Sequence, residues 1–170
     1  MRIFLEFIAI MALAVGMNQA DAARAADDLA EWTNDFSAEK EALVSTGRNA
    51  FFILEPGYQL VLEKEKERLV ITVLNETKQV DGVETRVVEE RETDDSQVVE
   101  VSRNFFAISR RTNSVFYFGE EVDIYRNGKL VNHEGAWLSG EKGAKFGLMM
   151  PGIALLGAPL LIPAAAWSAQ

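Results

Sequence analysis

His133 is the only histidine in the chain. An imidazole titrates near neutrality and can serve as general base or metal ligand. Glu134 adjoins it, and Asp123 lies a little upstream. One imidazole cannot build a multi-histidine zinc site. No nucleophile stands near it in sequence, so local hydrogen bonding from a strand is its expected role. Glu120, Glu121 and Glu134 are the residues that a carboxylate-based hydrolase would draw on. Asp81, Asp94, Asp95 and Asp123 carry the hard oxygens that calcium takes, but the Asp-x-Asp-x-Asp-Gly spacing of an EF-hand is missing, and turn chemistry accounts for them. Ser139 has no triad partners around it. The glycine-punctuated run 135–145 is not a phosphate loop, because Lys142 is followed by Gly143 where a Walker pattern needs Ser or Thr. It is expected as an ordered surface loop over a sheet.

The other candidate site is aromatic. Phe116, Tyr117, Phe118, Tyr125 and Trp137 are dense enough to line a groove for a lipid or glycan, although aromatics at this density more often fill a small core. Phe116, Phe118, Tyr125, His133 and Trp137 are the residues that such a groove would use. No catalytic residue, metal site or cofactor is assigned.

Composition narrows the classes. The formal net charge is −9, and basic residues alternate with acids, as in Glu63-Lys64-Glu65-Lys66-Glu67-Arg68, so no positive stripe exists for a phosphate backbone. Nucleic acid is therefore excluded as a partner. The chain has no Cys, which removes disulfides and thiolate ligands.

The elements that must position these residues are strands. Residues 58–137 are short apolar or alternating runs, broken by Asp81-Gly82, Asp94-Asp95-Ser96, Thr112-Asn113-Ser114 and Asn127-Gly128. Asp-Gly and Asn-Gly are two-residue hairpin corners. The pattern predicts strands over 58–63, 68–78, 83–93, 99–109, 115–118, 122–125 and 130–134. Val99, Val101, Arg103 and Phe105 oppose Glu100, Ser102 and Asn104 with the period of a strand. Short connections imply antiparallel neighbours. The expected fold is mainly β, an antiparallel meander forming a curved sheet or partly open barrel, with a short N-terminal helix over 27–46 that follows a signal peptide.

Residues 1–22 read as that signal peptide, with Arg2, an apolar stretch 7–16 and Ala20-Asp21-Ala22 as the cleavage site. Its removal takes away Arg2, Glu6 and Asp21, one positive and two negative charges, for a net of −8. Residues 23–48 form a helical segment, 49–157 the β domain and 158–170 an apolar tail. Phe146 to Trp167 is uncharged, but Pro151, Pro159 and Pro163 interrupt it, and each costs about 3 kcal/mol in a helix interior.

Several stretches are similar to an uncharacterised family of exported bacterial β-rich proteins. They are Asn49-Ala50-Phe51-Phe52 with Leu54-Glu55-Pro56-Gly57, Val70 to Lys78 with Val80 to Val88, Val115-Phe116-Tyr117-Phe118-Gly119-Glu120, and His133-Glu134-Gly135-Ala136-Trp137. Gly140 and Gly143-Ala144 follow. The resemblance spans 49–157 and implies export and a β fold, but no activity. Ala50 and Ile53 stand where the family has prolines. Similar proteins continue past Gly157 with a polar strand. A family-like Ala-Arg-Tyr-Tyr read one base out of phase gives Ala-Pro-Leu-Leu, as in Ala158-Pro159-Leu160-Leu161. Residues 159–170 are accordingly expected to be a frameshift product that truncates the domain and leaves a sheet edge open.

The expected function is an exported, periplasmic or extracellular, non-enzymatic β-domain with a binding or envelope-structural role. The alternatives are a carrier or sensor of an apolar ligand in a half-barrel groove, and a carboxylate-based hydrolase. The partners to expect are an apolar ligand, an envelope protein, or a second copy paired through an edge strand.

Overall fold

Three corners set the architecture. Asp81-Gly82, Asp95-Ser96 and Asn127-Gly128 hold both residues at positive φ, at 48° and 77°, 48° and 66°, and 52° and 70°. This is type I′ geometry, whose twist matches the strands it joins. Short polar residues and glycine tolerate it best. The structure, a computed structural model, describes residues 35–153. The signal peptide, the helical expectation over 23–34 and the tail 158–170 lie outside the described residues.

A 3-10 helix, Ser37–Ala42, leads into β1 (Leu43–Val44), β2 (Gly47–Arg48), β3 (Ile53–Leu54), β4 (Gln59–Lys64), β5 (Glu67–Val80) and β6 (Val83–Asp94). After them come β7 (Gln97–Ser109), β8 (Val115–Arg126), β9 (Lys129–Asn132), β10 (Trp137–Leu138) and β11 (Gly147–Met150). The main sheet runs β10-β8-β7-β6-β5-β4, with β9 and β11 also on β8 and β1 on β7; β2 and β3 form a separate ribbon. The pairings are antiparallel, and Val73 lies opposite Val88 and Thr77 opposite Arg86, so 68–78 and 83–93 are neighbours as expected. Of the two expected architectures the structure is the sheet and not the barrel: it stays open and uncurled.

Three details differ from the sequence reading. The described part of the expected helix is one 3-10 segment, after which the chain turns extended. Leu43 and Val44 pack into different clusters on opposite faces of the sheet, which consecutive residues of a strand do naturally. The β domain therefore begins before Asn49, with β1 and β2. Residues 115–118 and 122–125 belong to a single strand, β8. Finally, β9 stops at Asn132, so His133 and Glu134 fall in the turn beyond it.

Two bulges shape the sheet. On β8, Asn104 lies opposite Glu120 while Phe106 lies opposite Tyr117, so Phe105 faces two residues, Phe118 and Gly119. Gly119 adopts φ 127°, and a Cβ there would sit 2.2 Å from the Trp137 carbonyl oxygen. The inserted residue reverses the alternation and brings Tyr117 and Glu120 to the same face. On β5, residues 74–76 bulge opposite Val87. The freed carbonyls of Leu74 and Glu76 accept from the Arg86 guanidinium, which also donates to the Ser45 carbonyl at 2.9 Å and Thr46 Oγ1 at 2.7 Å.

The core occupies one half of the sheet and both of its faces. On one face Val80, Val83, Val87, Phe105, Phe116 and Phe118 are covered by Phe36, Leu43, Leu138, Phe146 and Leu148. On the other, Val73, Val88, Phe106, Ile108 and Val115 are covered by Val44, Phe52, Leu54, Met149 and Met150. Beyond Gly119 these apolar clusters end. The other half of the sheet carries Glu89, Arg91, Arg103 and Asp123 on one face and Glu90 and Glu100 on the other, where Ser102, Asn104 and Val122 are still buried. Covering such charges without partners would be costly.

Candidate functional site

Alternation beyond the bulge puts Glu89 and Arg91 of β6, Val101 and Arg103 of β7, and Glu121, Asp123 and Tyr125 of β8 on one face. Register then aligns them in two cross-strand rows, Glu89-Arg103-Glu121 and Arg91-Val101-Asp123. With His133 from the turn after β9, they line a recess of about 430 Å³. A second recess of about 530 Å³, towards the Asn127-Gly128 corner, shares Arg91 and Tyr125 with it.

Most charges in the first recess are already paired. Arg103 Nε lies 3.7 Å from Glu89 Oε2, and Lys78 reaches Glu121. His133 Nδ1 is 2.8 Å from Asp123 Oδ1 and 2.9 Å from the Val122 carbonyl oxygen. Two acceptors at Nδ1 assign the hydrogen to that nitrogen and leave Nε2 pointing elsewhere. Arg91 has no ion pair or hydrogen bond from its side chain among the described residues.

The opposite face carries a row of glutamates. Ser102 lies opposite Glu90, Asn104 opposite Glu120, and Glu100 opposite Glu92. Burial, and then the charges of Glu120, Glu100 and Glu92, push the Glu90 carboxyl above its ordinary range. Burial, and then Glu92, does the same to Glu100. Glu120 is also raised by burial, against the opposing pull of Tyr117 and Trp137. The Tyr117 hydroxyl donates to Asn104 Oδ1 at 2.6 Å, and Asn104 Nδ2 donates to Ser102 Oγ at 3.1 Å. The Trp137 indole N–H is buried and completes no hydrogen bond among the described residues. Tyr117 itself is pushed well above the usual phenol range by burial and by Glu120.

The groove residues expected from sequence do not converge. Phe116 and Phe118 are core, 2% and 0% exposed. Tyr125 and His133 share the charged recess. Trp137 lies on the other face, edge-on to Tyr117 at 5.3 Å. The hydrolase carboxylates are also dispersed: Glu120 and Glu121 occupy opposite faces, and Glu134 sits in the exposed turn. Asp81 and Asp95 are corner residues, as turn chemistry implies. Among the described residues no group of three or more His, Cys, Asp or Glu side chains is placed to hold a metal ion. Ser139 is 3% exposed and structural: it donates to Asp81 and accepts from the Phe146 amide. Sequence reasoning passed over Arg91, Arg103 and Glu89 as site residues, and also Glu90 and Glu100; it named Glu120 only as a hydrolase carboxylate beside Glu121. Their signal was the alternation along 83–93 and 97–105, legible as a site only once the strands are in register.

No family model, curated protein or solved structure matches this chain.

Proposed function

We propose that the protein is an exported, non-enzymatic binding module that takes up an anionic group of a polar ligand at Arg91. The observation that carries this reading is the pairing pattern of the recess. Arg103, Lys78 and His133 each have an acidic partner, and Arg91 has none among the described residues. A guanidinium presents a planar fork suited to a carboxylate or phosphate. Tyr125 beside it offers a ring and a hydroxyl, and His133 Nε2 offers a further polar contact. Phe116 and Phe118, on which an apolar carrier would rely, are taken up by the core, which favours the polar ligand. Export draws its support from the leader pattern and from the family resemblance.

Isothermal titration with glutamate-rich peptide, a uronate oligosaccharide and inorganic phosphate separates the sources of such an anion. At least one should bind saturably, and its uncharged amide or neutral-sugar counterpart should not. Arg91→Ala should weaken binding about tenfold or more, as expected for a lost hydrogen bond to a charged group. Absence of saturable binding by all three, or equal binding by the variant, would contradict the reading.

A further inference from the structure

We propose that β4 is the interface of a homodimer in which the edge strands of two copies pair antiparallel about Val61. This surface is independent of the recess. β4 is the last strand of the sheet at its end of the order, and nothing among the described residues pairs with its outer edge. Leu60, Val61 and Leu62 are 41%, 40% and 50% exposed, an unusual load of apolar surface for a bare edge.

The direction of the backbone groups identifies the partner. The Val73 amide donates to the Tyr58 carbonyl, and Leu60 then lies opposite Ile71, Leu62 opposite Leu69 and Lys64 opposite Glu67. Counting by twos, Leu60, Leu62 and Lys64 turn their backbone groups inward to β5. Gln59, Val61 and Glu63 turn theirs outward. That outward set is symmetric about Val61. A two-fold axis there places Val61 opposite the partner copy's Val61 and Gln59 opposite its Glu63, so every outward N–H and C=O of the strand finds a mate. The same operation sets Leu60 against Leu62 of the other copy on one face, and the Gln59 amide against a carboxylate on the other. Moving the axis to Leu62 would set Val61 against Glu63 and Leu60 against Lys64, apolar against charged. A second copy of this chain is therefore the occupant that the strand's own sequence complements.

Sedimentation velocity over a concentration series should show a reversible monomer–dimer equilibrium. Val61→Pro removes only an outward-facing amide, a change that edge strands accommodate. It should weaken dimerisation about thirtyfold or more, because the interface loses one donor from each copy at its centre, while the far-ultraviolet circular dichroism spectrum is retained. Val61→Cys gives a second readout that does not depend on the proline variant. The chain is otherwise free of Cys, and residues opposed in a hydrogen-bonded pair sit about 5.5 Å apart between Cα atoms, within reach of a disulfide. Mild oxidation should cross-link Val61→Cys dimers and leave Leu62→Cys largely uncross-linked. A monomer at all concentrations, whether its edge stays bare or takes up another protein's strand, overturns the proposal. So does a dimer in which Leu62→Cys cross-links in preference to Val61→Cys.

Discussion

Ser139 Oγ donates to Asp81 Oδ2 at 2.8 Å, tying the glycine-punctuated loop to the corner of the β5–β6 hairpin. Lys40 Nζ grips the same carboxylate from the other side, 2.8 Å from Oδ1. Three segments remote in sequence thus meet on one side chain, and Gly140 packs against it. Ser139→Ala should lower stability by about 1–2 kcal/mol in urea unfolding, the typical cost of a part-buried hydrogen bond. In a double-mutant cycle with Asp81→Asn the two losses should not add, since the residues share one network.

The same carboxylate shapes the acid limb of stability. Burial would raise the Asp81 pKa, but hydrogen bonds from Lys40 and Ser139 outweigh it, and the group titrates below its ordinary 3.8. A folded pKa below the unfolded value gives stability that is present above the unfolded pKa and is lost as pH falls through the folded one. Asp81→Asn keeps a residue that tolerates the corner's positive φ. It should flatten the decline in thermal midpoint below about pH 4.

The glutamate row has the opposite sign. Glu90, Glu100 and Glu120 titrate above the ordinary 4.5 when folded. The folded state therefore binds more protons than the unfolded chain between 4.5 and the raised values, and stability should fall as pH rises through that window. Glu90→Gln removes the most buried of these charges. It should raise the thermal midpoint at pH 7 and reduce the slope; a destabilised variant with an unchanged slope would contradict the assignment.

Gly119 is the hinge of this arrangement. A Cβ at this position would meet Trp137 backbone at 2.2 Å, and positive φ adds strain for any other residue. Gly119→Ala should cost about 2 kcal/mol or more. It should also change Trp137 fluorescence, because β10 must move away from β8. An unchanged spectrum and stability would mean that the bulge is not needed.

Arg86 spends its guanidinium on four neutral oxygens, holding the β5 bulge against β1 and the residues that follow it. Lysine keeps the charge but cannot fork to that set. Arg86→Lys should therefore lose about 2–3 kcal/mol of stability, with earlier amide exchange at residues 74–77 than in the rest of β5.

Much of the fold was written in local chemistry. Asp81-Gly82 and Asn127-Gly128 form the corners they advertise, and Val99 to Phe105 alternates as its side chains do. The site was less legible, because it depends on register and on one parity reversal. Glu120 and Glu121 look like a pair in sequence and end on opposite faces. Tyr117 and Glu120 look unrelated and share a face because Gly119 inserts a residue between them. His133 and Asp123 were both visible as candidates, but it is the pairing of β9 on β8 that brings them together, and Arg91 gave no signal of its own. Over its described part the expected helix gives way to a 3-10 segment and a strand, because Leu43 and Val44 serve two faces of a sheet.

The most direct test of the central claim is a nuclear magnetic resonance titration of uniformly ¹⁵N-labelled protein with glutamate-rich peptide, uronate oligosaccharide and phosphate in turn. The account predicts saturable shifts at the Arg91 side-chain Nε–H and at the amides of Val101, Asp123, Tyr125 and His133, lost in Arg91→Ala, with Ser102 and Asn104 unmoved. Shifts confined to the Glu90–Glu100–Glu120 face, or no saturable shift with any of the three, would contradict it.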